Sequence, residues 1–299
     1  MLSRRQMLWT PLALAALSEA SAQAASSKMV LGIHQNTSLG LTYRQALEGW
    51  ARAGIKYAEL VAQPLDDFLK TETVATAKRV LSDLGLTAVS CGGGLTDIVN
   101  PNPNRAMALV NLERRCELFA SMGIDRIVTP TRSALKVTAD DLKRGADNLR
   151  EAGDIAKRYR MTFMPEFTRD STYVSTLPTM LTMTREAAHA NVRPMIDLYH
   201  FWGGLSKFED LDLIRPGEIA HVHFQDVPDM PRELLDNTTR AVPGEGVTPL
   251  AKILRKLADK GYTGALSVEL FLFQKDDPYE LAARIKRKAE PIMRQAQVL

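Results

Sequence analysis

Four short, mostly apolar stretches each carry side chains that bind metal ions or move protons. They are MTFMPEF (161–167) with Glu166, VRPMIDL (192–198) with Asp197, IAHVHFQD (219–226) with His221 and His223, and GALSVEL (264–270) with Glu269. Runs of this kind normally disappear into a core, where an uncompensated carboxylate is strongly unfavourable. Three carboxylates gathered in a partly dry pocket would repel one another, so something positive must sit among them. One divalent cation held by three oxygens and an imidazole nitrogen is the simplest answer. That mixed, hard donor set suits Mn2+ first, with Mg2+, Co2+ or Zn2+ as further candidates, over a thiol-seeking metal. The alternative is a loop arginine or lysine that neutralises each carboxylate separately.

The elements that must position these residues follow from periodicity. From Met29 onward, eight short apolar or β-branched runs alternate with stretches of helical period; the other four are MVLGIH (29–34), KYAELV (56–61), LTAVSC (86–91) and DRIVTP (125–130). Helical stretches such as TYRQALEGWARAG and TPLAKILRKLADKG open on a threonine suited to N-capping and close on a glycine suited to C-capping. Repeated strand-helix units without a long linker predict an α/β chain folded as one (β/α)8 TIM barrel over 25–299, with an open doubly wound sheet as the alternative. CGGGL (91–95) lacks the spacing of a dinucleotide-binding turn and follows the third run, not the first.

In a parallel barrel, alternate side chains of a strand face the barrel interior and the surrounding helices. With Phe163, Pro165, Phe167, Ile196, Leu198, Val222, Phe224, Val268 and Leu270 packed outward, Glu166, Asp197, His223 and Glu269 all turn inward. They do so at the carboxyl end of their strands, which carries the active site in this architecture. His221 falls one layer deeper, as a hydrogen-bonded core histidine.

Composition sets the remaining bounds. The chain has 299 residues, 45% of them hydrophobic, enough to bury a large core. Its 38 basic and 35 acidic side chains leave a net charge of only +3, spread without blocks, which argues against a nucleic-acid partner. Residues 1–24 join a basic start, an apolar stretch and the small-residue ending Ala22-Gln23-Ala24, and predict a removable export signal. Ser3-Arg4-Arg5-Gln6-Met7-Leu8 resembles the twin-arginine type and so predicts the bacterial periplasm, with a general secretory signal as the alternative. The apolar stretch is too short for stable membrane insertion. Cys91 and Cys116 read as two free, buried thiols, and the lack of a Cys-x-x-Cys cluster excludes structural zinc of the usual kind. A homo-oligomer is compatible with all of this.

Taken together, these features resemble the sugar-phosphate isomerase/epimerase superfamily with a xylose isomerase-like barrel, which includes ketose 3-epimerases, hydroxypyruvate isomerases, inosose dehydratases and, more distantly, endonuclease IV. The likeness covers the chain after the signal. The family places metal ligands as a Glu on strand five, an Asp on strand six with a His three residues later, a His on strand seven and a Glu on strand eight. Here these are Glu166, Asp197 with His200 in DLYH, His223 in HVHFQD, and Glu269 in VELF; PGEG (243–246) also resembles the family. One position departs from it. Six residues after the strand-seven His, ketose 3-epimerases carry an Arg that holds the substrate, whereas Asp229 stands here, and Arg232 or Arg240 of the following loop are its candidate substitutes.

The resemblance implies a divalent-metal-dependent isomerase or epimerase acting on a small carbohydrate. A metal that chelates a carbonyl and its neighbouring hydroxyl stabilises the enediolate formed when the carbon-bound proton between them leaves. Glu166 and Glu269 would be both ligands and catalytic acid/base. Return of the proton to the other face of the same carbon gives epimerisation, and to the adjacent carbon, isomerisation. Loss of a β-hydroxyl gives dehydration, so a lyase of the inosose or dehydroshikimate dehydratase kind is the chief alternative, followed by a non-catalytic sugar-binding protein. His200 is expected above the metal, facing a substrate oxygen. His34 and Glu59 are candidates for contact with sugar hydroxyls or for a buried pair across neighbouring strands. Trp202 in FWGG (201–204) is a candidate aromatic wall. Export favours an unphosphorylated sugar, keto-sugar or polyol as the substrate.

Overall fold

In the computed structural model, which describes residues 28–271 and 277–299, each of the eight apolar runs forms a strand. These are β1 (Val30–His34), β2 (Tyr57–Val61), β3 (Thr87–Gly92), β4 (Arg126–Pro130), β5 (Thr162–Glu166), β6 (Met195–Asp197), β7 (His221–His223) and β8 (Ala265–Val268). They lie in the order β5-β4-β3-β2-β1-β8-β7-β6, and every strand pair is parallel. The ring closes at a looser joint. There Phe163 of β5 bridges in parallel to Val192, its N–H donating to the Asn191 carbonyl at 2.8 Å while Arg193 N–H donates to the Phe163 carbonyl at 3.1 Å. The (β/α)8 barrel expected from the periodicity is present. The expected export signal at 1–24 lies outside the described residues.

The intervening helices are α1 (Tyr43–Arg52), α2 (Ala62–Leu69), α3 (Val74–Asp83), α4 (Arg105–Ser121), α5 (Ala139–Arg158), α6 (Leu177–Ala187), α7 (Leu198–Gly203), α8 (Leu250–Asp259) and α9 (Pro278–Gln295). Thr42 starts α1 in a reciprocal cap with Gln45, and Gly54 beyond its end takes φ +81°. Thr138 and Asp141 cap α5 in the same way. α8 departs from expectation, because its N-cap is Pro249 and not Thr248. Thr248 is committed elsewhere, its N–H donating to Asp226 Oδ1 at 2.9 Å and its hydroxyl accepting from Val227 N–H at 3.2 Å.

The main core lies between sheet and helices. Ile33, Leu60, Ile127, Phe163, Ile196, Val222 and Val268 point out of the barrel and are buried against side chains such as Leu47, Trp50 and Phe119. Each such side chain contributes roughly 1.5–3 kcal/mol. Inside the barrel, Val128, Met164, Met195 and Ala220 form a separate apolar cluster, while other strands bury polar Glu59, Ser90, His221 and Ser267. Cys91 and Cys116 are free and buried, and burial pushes the Cys116 thiol up to about 12. Neither thiol is therefore ionised or reactive near neutrality. Among the described residues no helix is long and apolar enough to cross a membrane.

Candidate metal centre

Glu166 ends β5, Asp197 ends β6, His223 ends β7, and Glu269 follows the last residue of β8. Register sets them side by side, since Asp197 pairs with His223, and His223 with Ser267, two residues before Glu269. Their polar atoms converge on one ring nitrogen. His223 Nδ1 lies 3.2 Å from Glu166 Oε1, 3.2 Å from Glu269 Oε2 and 3.4 Å from Asp197 Oδ2. All four donor atoms fall within 4.8 Å of one another, and all four residues are buried. Glu166 Oε1 and both ring nitrogens of His223 are buried without a hydrogen-bond partner. Buried polar atoms are rarely left so, and three oxygens with one imidazole nitrogen are a fitting donor set for a divalent cation.

Two of the three carboxylates are also held by protein donors. Asp197 Oδ1 caps α7 by accepting from His200 N–H at 2.8 Å, and its Oδ2 accepts from Gln225 Nε2 at 2.7 Å and Arg240 Nη1 at 2.6 Å. Glu269 Oε1 accepts from Asn36 Nδ2 at 3.0 Å and Oε2 from Arg240 Nη1 at 2.9 Å. The Arg240 guanidinium lies over the rings of both Tyr199 and Phe271, 5.0 Å from each centroid. A loop arginine thus offsets part of the negative charge, serving Asp197 and Glu269 but not Glu166. Arg232 stays outside, donating to the Gly204 carbonyl at 2.6 Å.

This asymmetry separates the carboxyl groups electrostatically. Burial pushes Glu166 up to about 7. Burial acts in the same sense on Asp197, but Arg240, His200 and His223 outweigh it and hold that group well below the ordinary carboxylate range. Glu269 is likewise held down, by His34, Arg240 and His223 against the effect of burial. Burial alone would lower His223, yet the surrounding carboxylates, Glu59 and Glu269 foremost, raise it well above its usual value. Opposed shifts in adjacent carboxyl groups are the usual mark of a divided acid and base.

His34, Glu59 and His223 also lie close enough to suggest a second cation site. The histidine chemistry argues against it. His34 Nδ1 accepts from Asn36 N–H at 3.0 Å, so the ring proton sits on Nε2, the nitrogen 3.9 Å from Glu59 Oε1 and 3.5 Å from Glu269 Oε1. His34 faces the cavity, but Glu59 does not, which corrects the expectation that it meets sugar hydroxyls. Glu59 is fully buried and accepts from His221 Nε2 at 2.8 Å, making His221 the core histidine its position predicts.

A cavity of about 270 Å³ meets the donor cluster through Glu166 and Glu269 and is also lined by His34, Asn36, His200 and Arg240, among others. Gly92, Gly93 and Gly94 form one wall; Gly93 has φ +81°, and a Cβ there would come within 2.7 Å of Val61 Cγ1. The aromatic wall is Phe271. Trp202, expected in that role, instead packs against the buried cluster of Tyr199, Val227 and Leu235. His200 lines the cavity with Nε2 3.2 Å from Arg240 Nη2 and Nδ1 accepting from Arg169 N–H at 3.3 Å. With Nδ1 accepting, the ring proton sits on Nε2, and burial foremost lowers the group to about 4, so His200 is neutral near pH 7.

Asp226 keeps the Arg240 loop in place. Its carboxylate accepts from the backbone N–H groups of Val227, Gly244, Gly246 and Thr248 at 2.9–3.0 Å. Its backbone forms an antiparallel bridge with Ala241, next to Arg240. Gly246 has no room for a side chain, since a Cβ would meet the Val227 carbonyl oxygen at 2.1 Å. Sequence reasoning passed over Asn36, Gln225 and Phe271. Only Gln225 left a signal, sharing the inward parity of His221 and His223.

Comparison with known proteins gives consistent results. Residues 47–292 match the family described as xylose isomerase-like TIM barrel. An inosose isomerase of Halalkalibacterium halodurans is 30% identical over 159 residues, 52% of this chain and 55% of that protein. A 3-dehydroshikimate dehydratase of Pseudomonas putida is 25% identical over 240 residues, 78% of this chain and 37% of that protein. The chain thus spans about half the length of the inosose isomerase and less of the dehydratase. Among solved structures, the IOLI protein with a binding zinc atom superposes with a TM-score of 0.79 at 22% identity, covering 90% of this chain and 98% of that one. L-ribulose 3-epimerase superposes with a TM-score of 0.73 at 19% identity, covering 90% and 96%.

Proposed function

The chain belongs to the xylose isomerase-like TIM barrel family, and on that premise we propose that it is a divalent-metal-dependent isomerase or epimerase of an unphosphorylated sugar, keto-sugar or polyol. The observation that carries this reading is the convergence of Glu166, Asp197 and Glu269 on His223 Nδ1 at 3.2–3.4 Å, with Glu166 and Glu269 lining the cavity. Those four residues would hold the cation, Mn2+ foremost. Bound there, the cation would supply Lewis-acid charge that acidifies the carbon between a substrate carbonyl and hydroxyl.

The protein's own groups divide the remaining work. Glu269, held ionised and oriented by Asn36 and Arg240, is the base that takes the carbon-bound proton. Glu166, which no arginine among the described residues holds and whose affinity for a proton burial raises, is the carboxyl group suited to carry and return one. They come from the ends of β5 and β8, separated around the ring by β6 and β7, so that a planar carbon between them meets one carboxyl group on each face. Arg240 and neutral His200 bind substrate oxygens at the cavity wall, with His34 beside Glu269.

The test is a panel of unphosphorylated ketoses, keto-glycosides and inososes incubated with Mn2+-loaded protein in D2O and followed by proton NMR. Deuterium should enter at one carbon of the true substrate, and His223→Ala should lose both metal and exchange. Turnover that survives removal of the metal would sink the mechanism. A dehydratase is the second reading, favoured by the likeness to 3-dehydroshikimate dehydratase across 78% of this chain, and loss of water from the product distinguishes it. We also propose that residues 1–24 direct export to the periplasm, which amino-terminal sequencing of the periplasmic protein checks.

A further inference from the structure

Beneath the four donor residues lies a carboxylate that the proposed reaction does not use. Glu59 on β2 is fully buried, and among the described residues no lysine or arginine pairs with it. Imidazoles surround it instead. Its Oε2 lies 2.8 Å from His221 Nε2 and 3.3 Å from His223 Nε2, and its Oε1 lies 3.9 Å from His34 Nε2. A buried carboxylate is costly, and replacing a paired one by an apolar side chain is often neutral or stabilising, so stability alone is a weak reason for this arrangement.

The two nitrogens of His223 point to different partners. Nδ1 faces Glu166, Asp197 and Glu269, whereas Nε2 lies 3.3 Å from Glu59 Oε2, within reach of a hydrogen bond but not aligned for one. A neutral imidazole has one proton and one free lone pair. Only Nδ1 is placed to give its lone pair to a cation, which leaves the proton on Nε2, opposite Glu59 Oε2. We infer that Glu59 is a positioning residue for the metal centre, fixing His223 in the tautomer with a bare Nδ1 and making that nitrogen a stronger donor. His221, bonded to the same oxygen and approached by Ser90 Oγ at 3.3 Å, holds the carboxylate in line. The inference rests on the metal-centre reading above and adds to it a residue that never touches cation or substrate. Carboxylates that orient a metal-bound histidine typically change metal affinity by about 10–100-fold when removed.

Two experiments decide it. Wild-type protein labelled with 15N-histidine is loaded with 113Cd2+ and examined by NMR. Cadmium coupling at Nδ1 of His223, with a slowly exchanging proton on Nε2, is the expected result; coupling at Nε2 overturns the inference. In the second, Cd2+ affinity is measured by competition with a chelating dye. Glu59→Gln should bind about 10–100-fold more weakly than wild type, with Glu59→Asp recovering part of the loss. A folded Glu59→Gln with wild-type affinity and an unchanged Nε2 proton signal overturns the inference while leaving the metal centre intact. If Glu59→Gln does not fold, the wild-type NMR result decides alone. Wild-type protein that binds no Cd2+ overturns both readings.

Discussion

Arg240 Nη1 lies 2.6 Å from Asp197 Oδ2, the same oxygen that faces His223 Nδ1 at 3.4 Å. The guanidinium therefore shares an acceptor with the proposed cation. A carboxylate oxygen can serve both, but the two positive charges repel each other, by a few kcal/mol at the effective dielectric of a protein site. Arg240→Gln is expected to bind Mn2+ at least about tenfold more tightly and to turn over substrate more slowly, because the group that orients Glu269 and the substrate is gone. Calorimetric titration beside a turnover assay checks both. Weaker binding in the variant would mean that Arg240 supports the ligand set more than it competes with it.

Metal binding should release protons in a pH-dependent way. Without metal, burial holds Glu166 up at about 7, and the neighbouring carboxylates hold His223 protonated well above its usual range. Both must lose a proton to become ligands. Since each pKa is raised, the protonated form competes with the metal, and affinity falls as pH is lowered through 7. Calorimetry in buffers of different ionisation enthalpy should show more protons released per metal at pH 6 than at pH 8, where Glu166 is already ionised.

Glu166→Gln and Glu269→Gln test the division of labour. Each is expected to slow solvent-deuterium exchange into substrate by about 10²–10⁴-fold while leaving the barrel folded by circular dichroism. Equal exchange in wild type and Glu269→Gln would remove Glu269 as the base.

Asp226→Ala should be among the more destabilising substitutions near the site. It strips acceptors from four backbone N–H groups that Asp226 now serves, an expected cost of about 3 kcal/mol in urea unfolding. Activity should fall further than stability explains, since the Asp226–Ala241 bridge sets the loop that delivers Arg240.

How much of this was readable in the sequence depended on regular backbone. Strict alternation in β5 to β8 turned Glu166, Asp197, His223 and Glu269 to one face, and that carried both the barrel and its four donors. The misplacements fall where alternation is silent. Glu59 does turn inward, toward His34, His221 and His223, but its side chain lies beneath the cavity rather than in its lining, a matter of depth that alternation does not set. Because Asp197 caps α7, the chain is helical from Leu198, and Trp202 lies roughly 200° around the helix from His200. One therefore faces the cavity and the other the loop cluster. Asn36 and Phe271 come from segments beyond strand ends, where no period fixes a direction. Arg240 reaches the ligands from a loop whose path depends on Asp226, a residue that looked like the mere end of a strand.

The joint between β5 and β6 separates one donor from its neighbours in the ligand set. Glu166 stands on one side of it, Asp197 and His223 on the other, and the Phe163–Val192 bridge with its flanking backbone bonds is the ladder across it. A cation gripped from both sides would act as a clasp on this thinly stitched edge of the cylinder. The loaded protein should then guard the amides of this edge against solvent more than those of the well-paired β1–β2 edge opposite, coupling integrity of the barrel wall to occupancy of its mouth.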